Sequence, residues 1–282
     1  MLTISRLDEL RNLLGNARSG GKTVGFVPTM GALHEGHAAL VRKARAENEV
    51  VITSIFVNPT QFNNPGDLTH YPRTPEADTH LLESCGCDIL FMPLVEEMYP
   101  SGLSEPAPRV DLGGLDTVME GKHRPGHFAG VVQVVKKLFD AVGECRAYFG
   151  EKDFQQLAVV RRMTRQLQLP VTVIGCPIVR EADGLAMSSR NVRLSAEERA
   201  VAPLIAKTLF NAKVLWPAQD AATIEAEVAE SIAQEPLMRL EYATVADSET
   251  LQPLKPGQTQ NAVLCIAVHL GPVRLIDNVV LG

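Results

Sequence analysis

From Thr23 to Ile178 short β-rich runs alternate with longer helical stretches, and few architectures accept that alternation. Thr23–Val27 is β-rich and breaks at Pro28, and Ala38–Glu47 has helical composition. Val50–Val57 is a nearly continuous apolar, β-branched run, the pattern of a strand buried on both faces. Glu76–Ser84 reads as a helix, Asp88–Met92 as a short strand and Gly130–Val142 as an amphipathic helix. Ala147–Phe149, Phe154–Gln168 and Val171–Ile178 continue as strand, helix and strand. Such an order implies right-handed crossovers between parallel strands.

After Arg193 the character changes. Ser195 and Glu198 form a capping box that opens a helix, and helical sequence runs through Ala222–Gln234. Strand candidates follow at Leu240–Val245, Ala262–Leu270 and Val273–Val280. Between Pro93 and His127 the pattern lapses into a Gly- and Pro-rich stretch, long enough to be a functional or mobile loop. The expected fold is α/β. A doubly wound, Rossmann-like parallel-sheet nucleotide-binding domain would cover residues 1–180. A smaller C-terminal α+β domain would cover residues 181–282.

A chain of 282 residues is long enough for one large or two modest domains. Its net charge of −6 argues against a nucleic-acid partner, which would select a basic stripe. No apolar run reaches the roughly 20 residues that a membrane helix needs, and no signal-peptide h-region is seen, so the expected location is cytoplasmic, with no membrane partner. The five cysteines are scattered, and the Cys85/Cys87 pair lacks a second ligand cluster, so buried, reduced thiols are expected.

The strongest local signal lies where the first strand ends: Pro28-Thr29-Met30-Gly31-Ala32-Leu33-His34-Glu35-Gly36-His37. Ligands of open α/β sheets bind at the carboxyl ends of strands, where a helix N-terminus offers free N–H groups and a positive dipole end. His34 and His37, three apart, project from one side of such a helix, and Gly36 lets a flat base or a phosphate approach the backbone. Two imidazoles there can donate to a polyphosphate. Isolated, two histidines at this spacing would be exposed polar residues or a metal half-site. The missing third ligand counts against metal.

The His-x-Gly-His arrangement resembles the signature of the nucleotidyl-transferring superfamily that includes class I aminoacyl-tRNA synthetases. A second segment, Leu185-Ala186-Met187-Ser188-Ser189-Arg190-Asn191, resembles the Lys-Met-Ser-Lys-Ser loop of those synthetases. Its hydroxyls and guanidinium suit spread negative charge. Further blocks are Val57-Asn58-Pro59-Thr60-Gln61-Phe62, Tyr71-Pro72-Arg73-Thr74 and Glu120 through Phe128. They continue with Phe149-Gly150-Glu151-Lys152-Asp153-Phe154-Gln155-Gln156-Leu157 and Arg274-Leu275-Ile276-Asp277-Asn278. From end to end this ordered set resembles the pantoate–β-alanine ligase family. Ser104–Pro108 departs from it, being proline-rich where a strand-like stretch is expected.

The resemblance implies a soluble, homodimeric ligase that condenses pantoate with β-alanine through a pantoyl-adenylate, releasing AMP and pyrophosphate. Mg2+ would accompany ATP as co-substrate. His37 takes the proton-donor role, with His34 and Lys152 as catalytic partners. ATP would contact Met30 through His37, Gly150 through Asp153, the backbone at Val179, and Met187 through Arg190. Pantoate or β-alanine would meet Gln61 and Gln156, with Asn58, Arg124 and His127 as further candidates. On residue chemistry alone, Gln61 and Gln156 could equally be loop-stabilising amides, and Arg124 and His127 could only anchor their loop. Two other readings stand beside this one: a nucleotidyltransferase that acts on a phosphate ester and stops there, and a nucleotide-sensing or RNA-binding module without turnover.

Overall fold

The computed structural model describes residues 1–62 and 65–282. Two compact units form. The first comprises Met1–Leu112, Arg124–Glu151 and Val159–Pro177, the second Gly113–His123, Lys152–Ala158 and Ile178–Gly282. In chain order the elements are β1 (Leu2–Ile4), α1 (Leu7–Ser19), β2 (Val24–Thr29), α2 (Glu35–Glu47) and β3 (Val50–Ile55). They continue with α3 (Pro65–Thr69), α4 (Pro75–Ser84), β4 (Ile89–Phe91), α5 (Val95–Met98), α6 (Met119–His123) and α7 (His127–Val142). Then come β5 (Cys145–Gly150), α8 (Phe154–Gln166) and β6 (Val171–Cys176). The remainder is α9 (Ala196–Val201), α10 (Leu204–Leu215), α11 (Ala221–Ala233), β7 (Met238–Asp247), β8 (Ala262–Leu270) and β9 (Val273–Val280).

The first unit holds a six-stranded sheet in the order β1-β4-β3-β2-β5-β6, every pair parallel. The order grows one way from β2 and then resumes on its other side at β5, the switch point at which open sheets bind ligands. Central strands have helices on both faces, and the interior of β3 is buried throughout. That burial is the physical origin of the unbroken apolar run in its sequence. Val27, Val41, Leu82, Leu90 and Tyr148 belong to one core cluster. β1 and α1 carry little local signal: β1 has three residues, and α1 buries only Leu10 and Leu14 and starts at Arg6 without a side-chain cap.

In the second unit β7, β8 and β9 form an antiparallel sheet. Ile205 and Leu209 of α10 and Ile224, Val228 and Ile232 of α11 share a core with Leu264, Ile266, Val268 and Leu275. Ser195 accepts from the Glu198 N–H while the Glu198 carboxylate accepts from the Ser195 N–H, as the capping box predicted. The main boundary falls at Pro177/Ile178, near the expected residue 180, but this unit also takes in Gly113–His123 and Lys152–Ala158. Hydrogen bonds hold those segments there. The Gln155 amide accepts from Glu120 N–H and donates to the Leu115 and Val118 carbonyls. Arg274 forks onto Glu120 at 2.7 and 2.8 Å, and Tyr242 donates to the same carboxylate.

A β-bulge at Glu241 lets that residue and Tyr242 serve one charge cluster. Glu241 accepts from Arg274 and pairs with His269. Burial works against the Arg274 charge, but its hydrogen bonds to the Glu120 and Glu241 carboxylates outweigh that and keep the guanidinium protonated. All five cysteines are free and buried. Burial pushes Cys145 and Cys265 up to about 12, so they are unreactive core thiols. Among the described residues no helix is long and apolar enough to cross a membrane.

Candidate active site

In the first unit the loops leaving β2 and β5 open at the carboxyl edge of neighbouring strands. Gly31 and Ala32 turn through the left-handed region, at φ 82° and 51°. For Ala32 that conformation is strained and has to be held. Asp78 of α4 holds it. Its carboxylate accepts from Ala32 N–H at 2.9 Å, from Leu33 N–H at 2.8 Å and from Thr74 Oγ1 at 3.0 Å. With 2% exposure, Asp78 is a positioning residue that the sequence reading missed. A lone carboxylate facing inward from helix α4 was its only trace.

His34 caps α2, and the two histidines lock one another. Gly36 N–H donates to His34 Nδ1 at 3.1 Å, and His34 N–H donates to His37 Nδ1 at 3.3 Å. The rings lie 4.2 Å apart between centroids. A ring nitrogen that accepts a hydrogen bond carries no proton, so the neutral form of each imidazole carries its proton on Nε2. Two ring donors therefore stand at the positive end of a helix dipole. Glu35, also assigned to the nucleotide, is exposed and pairs with Arg42 of the same helix. At Gly150 a Cβ would meet nothing within 4 Å, so β5 ends in open space.

Gln61 is buried beside Met30. Its Nε2 donates to the Met30 sulfur at 2.9 Å, while its Oε1 accepts from Asn58. Sulfur is a weak acceptor, so a ligand oxygen would readily displace it and accept from this amide instead. Asn58, with 0% exposure, spends its amide on Gln61, Gly130 O, Thr60 and the Tyr99 hydroxyl. Those bonds shape the turn. His127 bonds Gln61 O through Nδ1 at 3.0 Å, and Arg124 Nη1 donates to its Nε2 at 3.2 Å. In this geometry His127 anchors the Gln61 turn. The turn packs so closely on α7 that a Cβ at Gly130 would sit 2.5 Å from Thr60 O and 2.8 Å from Gln61 Cα. Gly130→Val should therefore cost about 1–3 kcal/mol of overpacking, read as a lower urea midpoint. An unchanged midpoint would mean the turn yields freely.

The second unit carries the other assigned residues. Lys152 is largely buried, with Asp153 Oδ1 at 4.0 Å, and Gln156 is half-buried one turn on. Arg180 and Ala186 bridge a hairpin, closed by Met187 N–H donating to the Val179 carbonyl at 3.0 Å. The following loop is braced from within. Ser188 Oγ accepts from Arg190 N–H, and Asn191 donates to Glu181 and to the Ala186 carbonyl. Arg199 ties Glu181 and Asp183 at 2.6 Å each, and its hydrogen bond holds the Asp183 carboxyl below the usual range. Ser188, Ser189 and Arg190 are partly exposed at the tip.

Comparison with known proteins points one way. The family model for pantoate-beta-alanine ligase matches residues 2–280. The pantothenate synthetase of Porphyromonas gingivalis is 54% identical over 272 residues, covering 96% of this chain and 95% of that protein. That of Bacteroides fragilis is 53% identical over 281 residues, covering 99% and 98%. A crystal structure of pantothenate synthetase from Thermus thermophilus superposes with a TM-score of 0.92 at 45% identity, covering 100% of this chain and 99% of that one. The Francisella tularensis pantoate-beta-alanine ligase, crystallised with beta-gamma ATP and beta-alanine, gives 0.80 at 33% identity, covering 99% and 97%. With a family match running almost from end to end, the chain belongs to the pantoate-beta-alanine ligase family.

Proposed function

We propose that this chain joins pantoate to β-alanine in two steps, driven by ATP. A pantoate carboxylate oxygen attacks the α-phosphorus and pyrophosphate leaves. The β-alanine amine then attacks the acyl carbon, and AMP departs with the attacking oxygen. The intermediate is needed because a carboxylate is a poor acyl donor, whereas an acyl phosphate carries a good leaving group. One observation supports the reading above the others: His34 and His37 lock each other with Nδ1 as acceptor, leaving Nε2–H as the ring donor at the start of α2.

Each residue's role follows from its chemistry. His37 and His34 donate to the triphosphate, and His37 stabilises the charge that develops as pyrophosphate leaves. Lys152 supplies a point charge, while Ser188, Ser189 and Arg190 hold the β- and γ-phosphates. Met30 through Gly36, Gly150, Glu151, Asp153, the Val179 backbone and Met187 line the nucleotide. Gln61 and Gln156 read the pantoate carboxylate and hydroxyls. Among the described residues no three His, Cys, Asp or Glu side chains form a metal cluster. A magnesium ion arriving with ATP would be held by phosphate and water. The working form is a cytoplasmic homodimer, checked by its mass in solution.

The test is to incubate the protein with Mg-ATP and pantoate, with and without β-alanine, and to follow pyrophosphate, AMP and pantothenate. Pyrophosphate without the amine, and AMP with pantothenate only in its presence, are expected. Pyrophosphate without any amine-dependent AMP would leave a nucleotidyltransferase instead. For the pocket, Gln61→Ala and Gln156→Ala should each raise the KM for pantoate about tenfold, the scale of one lost neutral hydrogen bond. ATP binding by calorimetry should be little changed. A collapse of ATP affinity would move these residues to the nucleotide.

A further inference from the structure

The block Arg274–Asn278 has no role in the reaction as described so far. It lies on β9, where successive side chains face opposite sides of the sheet. Val273, Leu275 and Val279 enter the core shared with α10 and α11, which puts Asp277 on the same side. Arg180 meets it there. Its guanidinium forks onto the Asp277 carboxylate at 2.7 and 3.0 Å, stacks 4.9 Å over the Phe210 ring of α10 and donates to Gly184 O at 3.1 Å. Gly184 and Arg180 belong to the hairpin that leads into Met187–Arg190, so this contact fixes the base of that loop. Asn278 faces the other way, and its Nδ2 donates to the main-chain carbonyl of Lys152 at 3.0 Å. Asp277 and Asn278 are each 4% exposed, and Asp277 Oδ1 also accepts from Asn278 N–H at 2.8 Å.

We propose that Asp277 and Asn278 are positioning residues for the adenylation step, one side of the strand setting the hairpin before the Met187–Arg190 loop and the other setting Lys152. The inference rests on the reading of Lys152 and that loop as phosphate-binding. A forked guanidinium–carboxylate pair fixes orientation as well as distance, which a hydrophobic contact would not do. Misplacing a charge by about 1 Å is enough to cost a hundredfold in rate.

The experiment measures pyrophosphate release with ATP varied and then with pantoate varied, together with melting temperature. The variants are Lys152→Ala, Asn278→Leu, Asn278→Ala and Asp277→Asn. Asn278→Leu keeps the size and deletes the donor to the Lys152 carbonyl without adding a charge, so it remains informative if Asp277→Asn fails to fold. The Asn278 variants should lower kcat/KM for ATP about ten- to a hundredfold while the KM for pantoate and the melting temperature stay near wild type. If Lys152→Ala leaves ATP kinetics unchanged, the phosphate reading of Lys152 fails and the inference falls with it. If Lys152→Ala is defective but the Asn278 variants match wild type, or lose only melting temperature, the inference alone is overturned.

Discussion

His37→Ala is expected to fold as the wild type does and to release pyrophosphate about a hundredfold or more slowly, the scale of losing one preorganised transition-state donor. The imidazole sits in the first turn of α2, and its Nδ1 accepts from His34 N–H. Removing it frees one helix-end N–H that water can satisfy, so stability should change by about 1 kcal/mol or less. The rate should fall much further, because Nε2–H is aimed from a fixed ring in a fixed tautomer. His37→Asn retains a donor of shorter reach and should recover part of the loss. Single-turnover pyrophosphate release with Mg-ATP and pantoate measures both. Near-normal release by His37→Ala would take the proton-donor role away from this residue.

Asp78→Ala should damage both folding and chemistry. A carboxylate at 2% exposure holds two successive backbone N–H groups and the Thr74 hydroxyl. Hydrogen bonds to a charged group contribute about 1.5–3 kcal/mol each, and the N–H groups left behind would be partly buried. We expect a loss of about 2–4 kcal/mol in urea unfolding. Without that carboxylate Ala32 has no reason to stay at φ 51°, so the Met30–His34 turn should relax and adenylation should fall at least about a hundredfold. Asp78→Asn keeps the shape but sets an amide donor against a backbone donor, and should fall between. Full activity in Asp78→Ala would mean that the turn is held by other contacts.

Much of the architecture was legible because its signals are local. The buried strand at Val50–Ile55, the Ser195–Glu198 box and strands β8 and β9 announce themselves through local apolar, β-forming composition and a reciprocal cap. The histidine motif was legible because its helix-start geometry lies within four residues. β1 and α1 were not, since a three-residue strand and an uncapped helix with two buried leucines barely disturb local composition. α10 follows Pro203 without a capping side chain and was equally quiet. Positioning residues were the least legible. Asp78 acts on residues 45 and 46 positions away, and Arg274 meets Glu120 across 154. Asn58 and His127 carry ligand-like chemistry, and both also brace the Gln61 turn where it packs on α7.

The central claim is that the carboxylate is activated as an adenylate. It can be followed atom by atom. Pantoate labelled with 18O in both carboxylate oxygens, Mg-ATP and β-alanine are incubated with the protein, and the products are separated for mass spectrometry. The oxygen that attacks the α-phosphorus stays on phosphorus when the amine displaces AMP. One labelled oxygen should therefore appear in the phosphate of AMP and the other in the amide of pantothenate, with pyrophosphate unlabelled. Release of ADP with label in inorganic phosphate, or AMP formed without label, would contradict the adenylate route.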